Sequence, residues 1–207
     1  TTIYAEAGTQ LIKVCKLALD NGLTGLEFAY GIPGTVGGAV FMNAGAYGGE
    51  MKQVVRSVDV LYPGKEVRTY SGEEMEFGYR TSRLKREDGI VLAAAIELAP
   101  GDKQAITDRI TELAQQRKDK QPLEFASAGS TFKRPEGYFA GKLIQDAGLK
   151  GFRVGDAQVS EKHAGFVINR GNASAAQIRK LIEEVQRIVL EDAGVQLERE
   201  VIFLGEF

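Results

Sequence analysis

The chain has 207 residues, a formal net charge of -2, 43% apolar residues and 26% charged residues. That length buries a core in one large domain or two small ones, and the slightly acidic balance excludes non-specific nucleic-acid binding, which needs a basic stripe to displace counterions. A single cysteine excludes an internal disulfide and fits a reducing compartment; no apolar run reaches bilayer length and no signal peptide opens the chain, so a cytoplasmic location without membrane contact is expected.

The opening residues Thr1–Ala5 read as a strand already under way, as expected of a fragment. Residues 9–21 place Leu11, Ile12, Cys15, Ala18 and Leu19 on one helical face, with Thr9 as N-cap and Gly22 as stop. Cys15 lies on that face and reads as a small buried apolar residue. Residues 31–49 are dense in glycine. Residues 54–70 alternate like paired strands around Pro63-Gly64, and 89–98 form a short apolar run typical of a buried strand. The spacing predicts a helix over 102–118, capped by Asp102, with Ile106, Ile110 and Leu113 inward. Gln121-Pro122 interrupts it and marks the domain boundary, giving domains 1–121 and 122–207. Beyond it come a short helix over 138–147 closed by Gly148 and a strand over 165–169. Residues 174–192 form a helix capped by Ser174, with Ile178, Leu181, Ile182, Val185, Ile188 and Val189 inward and Gly194 as its end. Val201 to Leu204 read as a last buried strand. Helices and strands mix without a strict βαβ rhythm, so the class is α+β.

Four segments can carry chemistry. Glycines at 31, 34, 37, 38, 45, 48 and 49 let a backbone approach a ligand closely. Bare N–H groups at a helix start could cradle a phosphate, although the spacing is neither G-x-G-x-x-G nor a P-loop. A loop-and-turn reading competes evenly; interleaving with Val36, Ala39, Val40, Phe41 and Met42 favours backbone contact with something flat or charged. Gly78-Tyr79-Arg80 offers either a surface charge or a planar cation for a carboxylate or enolate, and unaided the surface reading leads. Gly129-Ser130 sits in a tight loop, but no G-x-S-x-G elbow surrounds it and His163 is the one histidine, so a serine hydrolase is a poor fit; serine as proton donor remains. Strand alternation puts Glu198 and Glu200 on one face. No His/Cys cluster has metal-ligand spacing, so no metal is expected, and a reductase would need a borrowed cofactor.

In order and wording these segments resemble the MurB family of UDP-N-acetylenolpyruvoylglucosamine reductases. The resemblance rests on Gly25–Glu50, with its Gly-Ile-Pro-Gly-Thr-Val-Gly-Gly and Asn-Ala-Gly-Ala-Tyr-Gly-Gly runs, and on Tyr79-Arg80-Thr81-Ser82. It extends through Lys120-Gln121-Pro122-Leu123-Glu124, Gly129-Ser130-x-Phe132, Lys162–Asn169 and Arg199-Glu200-Val201. It implies a partial FAD-binding domain of the PCMH/VAO type, its second lobe, followed by a smaller α+β substrate-binding domain. The family's first FAD lobe, with a Gly-x-Gly-Ser-Asn loop, would precede Thr1. Residues 81–119 are filled by a strand and a helix, so the resemblance is to the shorter branch without an inserted tyrosine loop.

The same resemblance implies that hydride passes from NADPH through FAD to C3 of the enolpyruvyl ether, yielding UDP-N-acetylmuramate. Arg80 and Glu200 would stabilise the enol(ate) and Ser130 would protonate C2. Gly31, Ile32, Pro33, Gly34, Gly37, Gly38, Asn43, Ala44, Gly45, Ala46 and Tyr47 would bind FAD. Tyr79, Lys120, Arg134 and His163 would contact the UDP-sugar, Lys120 at its diphosphate. A monomer is expected. Two alternatives stand beside this reading: a catalytically inactive UDP-sugar-binding fragment, and a flavin oxidase on the same FAD-binding fold.

Overall fold

A computed structural model describes residues 1–206 as two compact units, Thr1–Gln115 and Gln116–Phe207. The first contains β1 (Thr2–Glu6), α1 (Leu11–Asp20), β2 (Leu23–Thr24), α2 (Val36–Phe41), β3 (Gly45–Ala46), β4 (Gly49–Glu50), β5 (Val55–Leu61), β6 (Val67–Ser71), β7 (Ile90–Glu97) and β8 (Ala99–Pro100). The helix α3 (Lys103–Lys120) carries the division, six residues before the Gln121-Pro122 break read from the sequence. The second unit adds β9 (Ala126–Ser130), α4 (Ala140–Asp146), β10 (Arg153–Val154), β11 (Ala157–Val159), β12 (Phe166–Asn169) and α5 (Ala175–Ala193). Every strand pairing is antiparallel, which makes the chain α+β.

In the first unit four strands pair in the order β1-β7-β5-β6. The central place of β7 explains its apolar run. It sends Val91, Ala94 and Ile96 into the core, a register shift opposite Asp59 and Val60 interrupting the strict alternation, while Ile90 and Leu92 are exposed. The hairpin of β5 and β6 turns at the expected Pro63-Gly64, where Gly64 and Lys65 have positive φ and the Tyr62 N–H donates to Glu66 O at 2.8 Å. Helix α1 buries Leu11, Val14, Cys15 and Ala18, an i, i+3, i+4, i+7 stripe. Ile12 and Leu19 lie only half-buried beside it, and burial pushes the Cys15 thiol up to about 12. Thr9 is not its N-cap: the helix begins after Gln10, and the Thr9 carbonyl instead accepts the Val36 N–H at 2.9 Å.

In the second unit β10-β11-β12-β9 form a four-stranded sheet covered by α5. A reciprocal capping box of Ser174 and Gln177 starts α5, and Gly194 ends it at φ 68°. Leu181, Ile182, Val185 and Val189 pack from α5 onto Ile144, Ala157, Val159 and Leu197. The Asp102 carboxylate accepts the Ala105 N–H at 2.8 Å and caps α3, whose Ile110 is half-buried rather than inward. Val201–Leu204 is not a strand: Ile202 and Leu204 are exposed at 67% and 83%. The backbone pairing that reaches this segment ends at Glu200, so its apolar residues have no ladder to join.

Candidate active site

The glycine-dense stretch is a folded element rather than a loop. Thr35 caps α2 through its hydroxyl, which accepts the Gly38 N–H at 3.3 Å. The Val36 and Gly37 N–H groups donate to Thr9 O and Ala7 O, each at 2.9 Å. All three leading amides of α2 are therefore taken, so the helix start is no phosphate cradle. Three of the glycines answer to the protein itself. A Cβ on Gly37 would lie 2.8 Å from Ala7 Cβ, one on Gly45 2.7 Å from Gly49 O, and one on Gly49 2.5 Å from the Phe28 ring. Gly34, Gly38 and Gly48 are different: they are exposed, and a Cβ there meets nothing nearer than Thr35 Oγ1 at 3.6 Å. Gly31 is exposed beside half-buried Ile32. What remains on offer is a bare backbone surface, suited to a flat group laid against it.

The Tyr79-Arg80 turn is fastened to this stretch. Gly78 and Thr81 exchange backbone hydrogen bonds of 3.1 and 3.2 Å, leaving Tyr79 and Arg80 as the two central residues. Arg80 has φ 53°, in the left-handed region where such turns normally use glycine or asparagine. Arg80 Nη2 donates to Gly45 O at 3.1 Å, and the guanidinium stands 5.1 Å from the Tyr79 ring centroid. Next along the chain, buried Ser82 donates through Oγ to Phe41 O at 2.8 Å. Arg83 then holds the following turn, donating to Glu74 O at 2.9 Å and to the Glu87 carboxylate at 2.8 Å. A bulky cation kept in a strained backbone state by its neighbours is the kind of feature that clusters at functional sites.

Asn43 takes a place the sequence did not indicate. Its side chain is fully buried and φ is 45°. Nδ2 donates to Glu50 Oε2 and to Gly78 O, both at 3.0 Å, and Oδ1 accepts the Lys52 N–H at 2.8 Å. Ala44 sends its N–H to Ala39 O, Gly45 and Ala46 pair with Glu50 and Gly49, and Tyr47 turns the hairpin at φ 52°.

In the second unit Ser130 stands at the end of β9, exposed, just after Gly129 at φ 85°. Its hydroxyl has no hydrogen-bond partner among the described residues. The chain beyond it pairs with 198–200: Lys133 N–H donates to Glu198 O at 2.8 Å, Phe132 faces Arg199, and Glu200 N–H donates to Thr131 O at 2.9 Å. Glu200 is thus paired with Thr131, the residue that follows Ser130. Glu198, the other candidate on that face, is an exposed partner of Lys133. Arg134 stacks 4.0 Å from the Phe139 ring centroid, and Lys120 is the exposed last residue of α3.

His163 is partly buried. Its Nδ1 accepts the Gly165 N–H at 3.1 Å, and its ring meets Phe166 edge to face at 5.0 Å between centroids. Burial holds its pKa below the ordinary histidine value. A depressed folded pKa means the unfolded chain takes up the proton first, near pH 6.5. Stability from neutral His163 is therefore complete above that pH and lost as pH falls below it. Urea unfolding midpoints should drop more steeply between neutral and mildly acidic pH in the parent than in a His163→Gln variant. Parallel slopes would exclude this linkage.

Comparison with known proteins matches these two halves to two domain families. Residues 1–71 match a FAD binding domain, and residues 121–204 match the UDP-N-acetylenolpyruvoylglucosamine reductase C-terminal domain. A UDP-N-acetylenolpyruvoylglucosamine reductase of Caldanaerobacter subterraneus subsp. tengcongensis is 54% identical over 206 residues, which is 100% of this chain and 68% of that protein. The enzyme of the same name from Clostridium tetani is also 54% identical, over 99% of this chain and 66% of its own length. The crystal structure of UDP-N-acetylenolpyruvylglucosamine reductase (MurB) from Thermus caldophilus superposes with a TM-score of 0.85 at 40% identity, over 96% of this chain and 71% of that one. The chain thus spans about two thirds of the length of these relatives. A FAD-binding domain joined to this second α+β unit defines the class as flavin-dependent oxidoreductase. Within that class the chain belongs to the UDP-N-acetylenolpyruvoylglucosamine reductase (MurB) family.

Among the described residues no helix is long and apolar enough to cross a membrane, and no group of three or more His, Cys, Asp or Glu could hold a metal ion.

Proposed function

We propose that this chain carries the flavin-facing and substrate-protonating residues of an NADPH-dependent reduction of UDP-N-acetylenolpyruvoylglucosamine to UDP-N-acetylmuramate, a step in peptidoglycan precursor synthesis. The first unit serves as the second lobe of the FAD domain and residues 122–207 as the substrate domain. The observation that carries the reading is Arg80, held at φ 53° and bonded to Gly45 O at 3.1 Å within the glycine stretch.

The exposed, side-chain-free faces of Gly34, Gly38 and Gly48 fit a planar ring system better than a pyrophosphate, because the neighbouring α2 amides are already bonded. FAD bound there supplies hydride chemistry that no side chain can perform. The chain's own residues supply the rest. Arg80 is a permanent planar cation that offsets enolate charge. Ser130 presents an unengaged hydroxyl as proton donor to C2, and a weak acid suffices because a C2 carbanion is a strong base. Glu200, whose N–H donates to the carbonyl of Thr131 next to Ser130, is the second proposed stabiliser of the enolate. Lys120, Tyr79, Arg134 and His163 are the proposed UDP-sugar contacts, and the protein works in the cytoplasm as a monomer.

The test is direct. The purified protein, incubated with FAD and freed of excess, should retain a flavin absorption spectrum. It should consume NADPH only when the enolpyruvyl sugar nucleotide is present. Retention of no flavin, or NADPH consumption sustained by oxygen alone, would overturn the proposal.

A further inference from the structure

Arg80 occupies a turn position that an arginine does not choose unaided, so something must hold it there. Gly78 O is the point of leverage. It accepts the Thr81 N–H that closes the turn, at 3.2 Å, and the Asn43 amide at 3.0 Å. Both lone pairs of that carbonyl are used. The other Asn43 donor is anchored on Glu50 and its acceptor on the Lys52 N–H. The amide therefore ties the Arg80 turn to the β3–β4 hairpin that receives the Arg80 guanidinium at Gly45. Backbone and side chain of Arg80 are referenced to the same hairpin from two sides.

We propose that Asn43 is a positioning residue for Arg80 and not itself a cofactor contact. Both donors and the acceptor of its side chain are spent inside the protein, and the side chain is fully buried. Its φ of 45° is one that asparagine tolerates better than other side chains, which suits it to a sharp corner with an inward amide. An aspartate here would lose the donor to Gly78 O and set a carboxylate against Glu50. The consequence is specific, since a guanidinium displaced by about 1 Å loses much of its hold on developing charge. This inference rests on the proposed role of Arg80.

The test compares Asn43→Gly, Arg80→Ala and the double variant in the FAD-loaded full chain. Glycine keeps the left-handed backbone free of strain and removes only the side chain. Asn43→Gly should slow the half-reaction that consumes the enolpyruvyl substrate roughly a hundredfold. In the Arg80→Ala background it should cost little more, because the two residues act as one unit. Independently of turnover, hydrogen exchange at the Thr81 amide should become faster in Asn43→Gly. Losses that multiply in the double variant, or unchanged exchange at Thr81, would overturn the proposal. Should Asn43→Gly not fold, Asn43→Asp keeps the acceptor for Lys52, removes the donor to Gly78 and carries the same expectations. If Arg80→Ala alone leaves the substrate half-reaction intact, the assigned role of Arg80 fails, and the Thr81 exchange still decides whether Asn43 sets the turn.

Discussion

Ser130→Ala should slow the half-reaction that consumes the enolpyruvyl substrate by about 10²- to 10⁴-fold, the range for loss of a positioned general acid. Reduction of bound flavin by NADPH should continue near the parent rate, because no proton is delivered to C2 in that step. Rapid-mixing measurements of flavin absorbance separate the two half-reactions. Three observations set this expectation. Ser130 is exposed, and its hydroxyl is not committed to any described residue. Gly129, at φ 85°, bends the chain just before it, and Phe166 pairs with it across the sheet, so the Cα is fixed from both sides. Finally, the single histidine cannot activate it as a nucleophile, since His163 Nδ1 is already accepting the Gly165 N–H. A serine without a base can donate a proton but not attack a carbonyl efficiently. Equal losses in both half-reactions would mean that the substitution disturbed the fold or the flavin, and the acid role would fall.

Much of the fold was legible because its signals are local. Helix α5 announces itself through Ser174 and Gly194, which flank its two ends. The hairpin at Pro63-Gly64 likewise needs only its own residues. Helix α2 was not legible, because Gly37-Gly38 is among the poorest helix-forming pairs. It forms because Ala7 and Thr9 accept its first amides, and because only glycine at 37 clears the Ala7 methyl. The same cause gives part of the glycine density a role inside the protein. Gly45 and Gly49 are required by Glu50 and Phe28, and only part of the stretch is left facing outward. Val201–Leu204 failed in the opposite direction: an apolar, β-branched run promised a strand, but pairing with 131–133 ends at Glu200. The partnership of Asn43 with Gly78 joins residues 35 apart and leaves no local trace. A lone asparagine in a run of glycine and alanine was the one available hint.

Arg80 gives the other large expected effect. Arg80→Ala should lower the rate of the substrate half-reaction by about 10²- to 10³-fold, the cost of removing one preorganised stabiliser of developing negative charge. Arg80→Lys should recover only part of it. A lysine keeps the charge but is a point donor on a flexible stem, without the planar fork whose Nη2 here donates to Gly45 O. Neither variant should differ much from the parent in folding. Removing a long side chain from a left-handed position costs the fold little, because the Gly78–Thr81 and Asn43–Gly78 bonds remain. Melting temperatures of all three proteins should therefore stay close while their rates diverge. That separation is what distinguishes charge stabilisation from structural support: a residue needed for the turn would drag stability down with rate. The dependence should show most clearly in kcat and little in KM, since a cation that meets only the developing enolate has nothing to bind in the ground state. A variant that raises KM alone would move Arg80 from the chemistry to simple substrate binding.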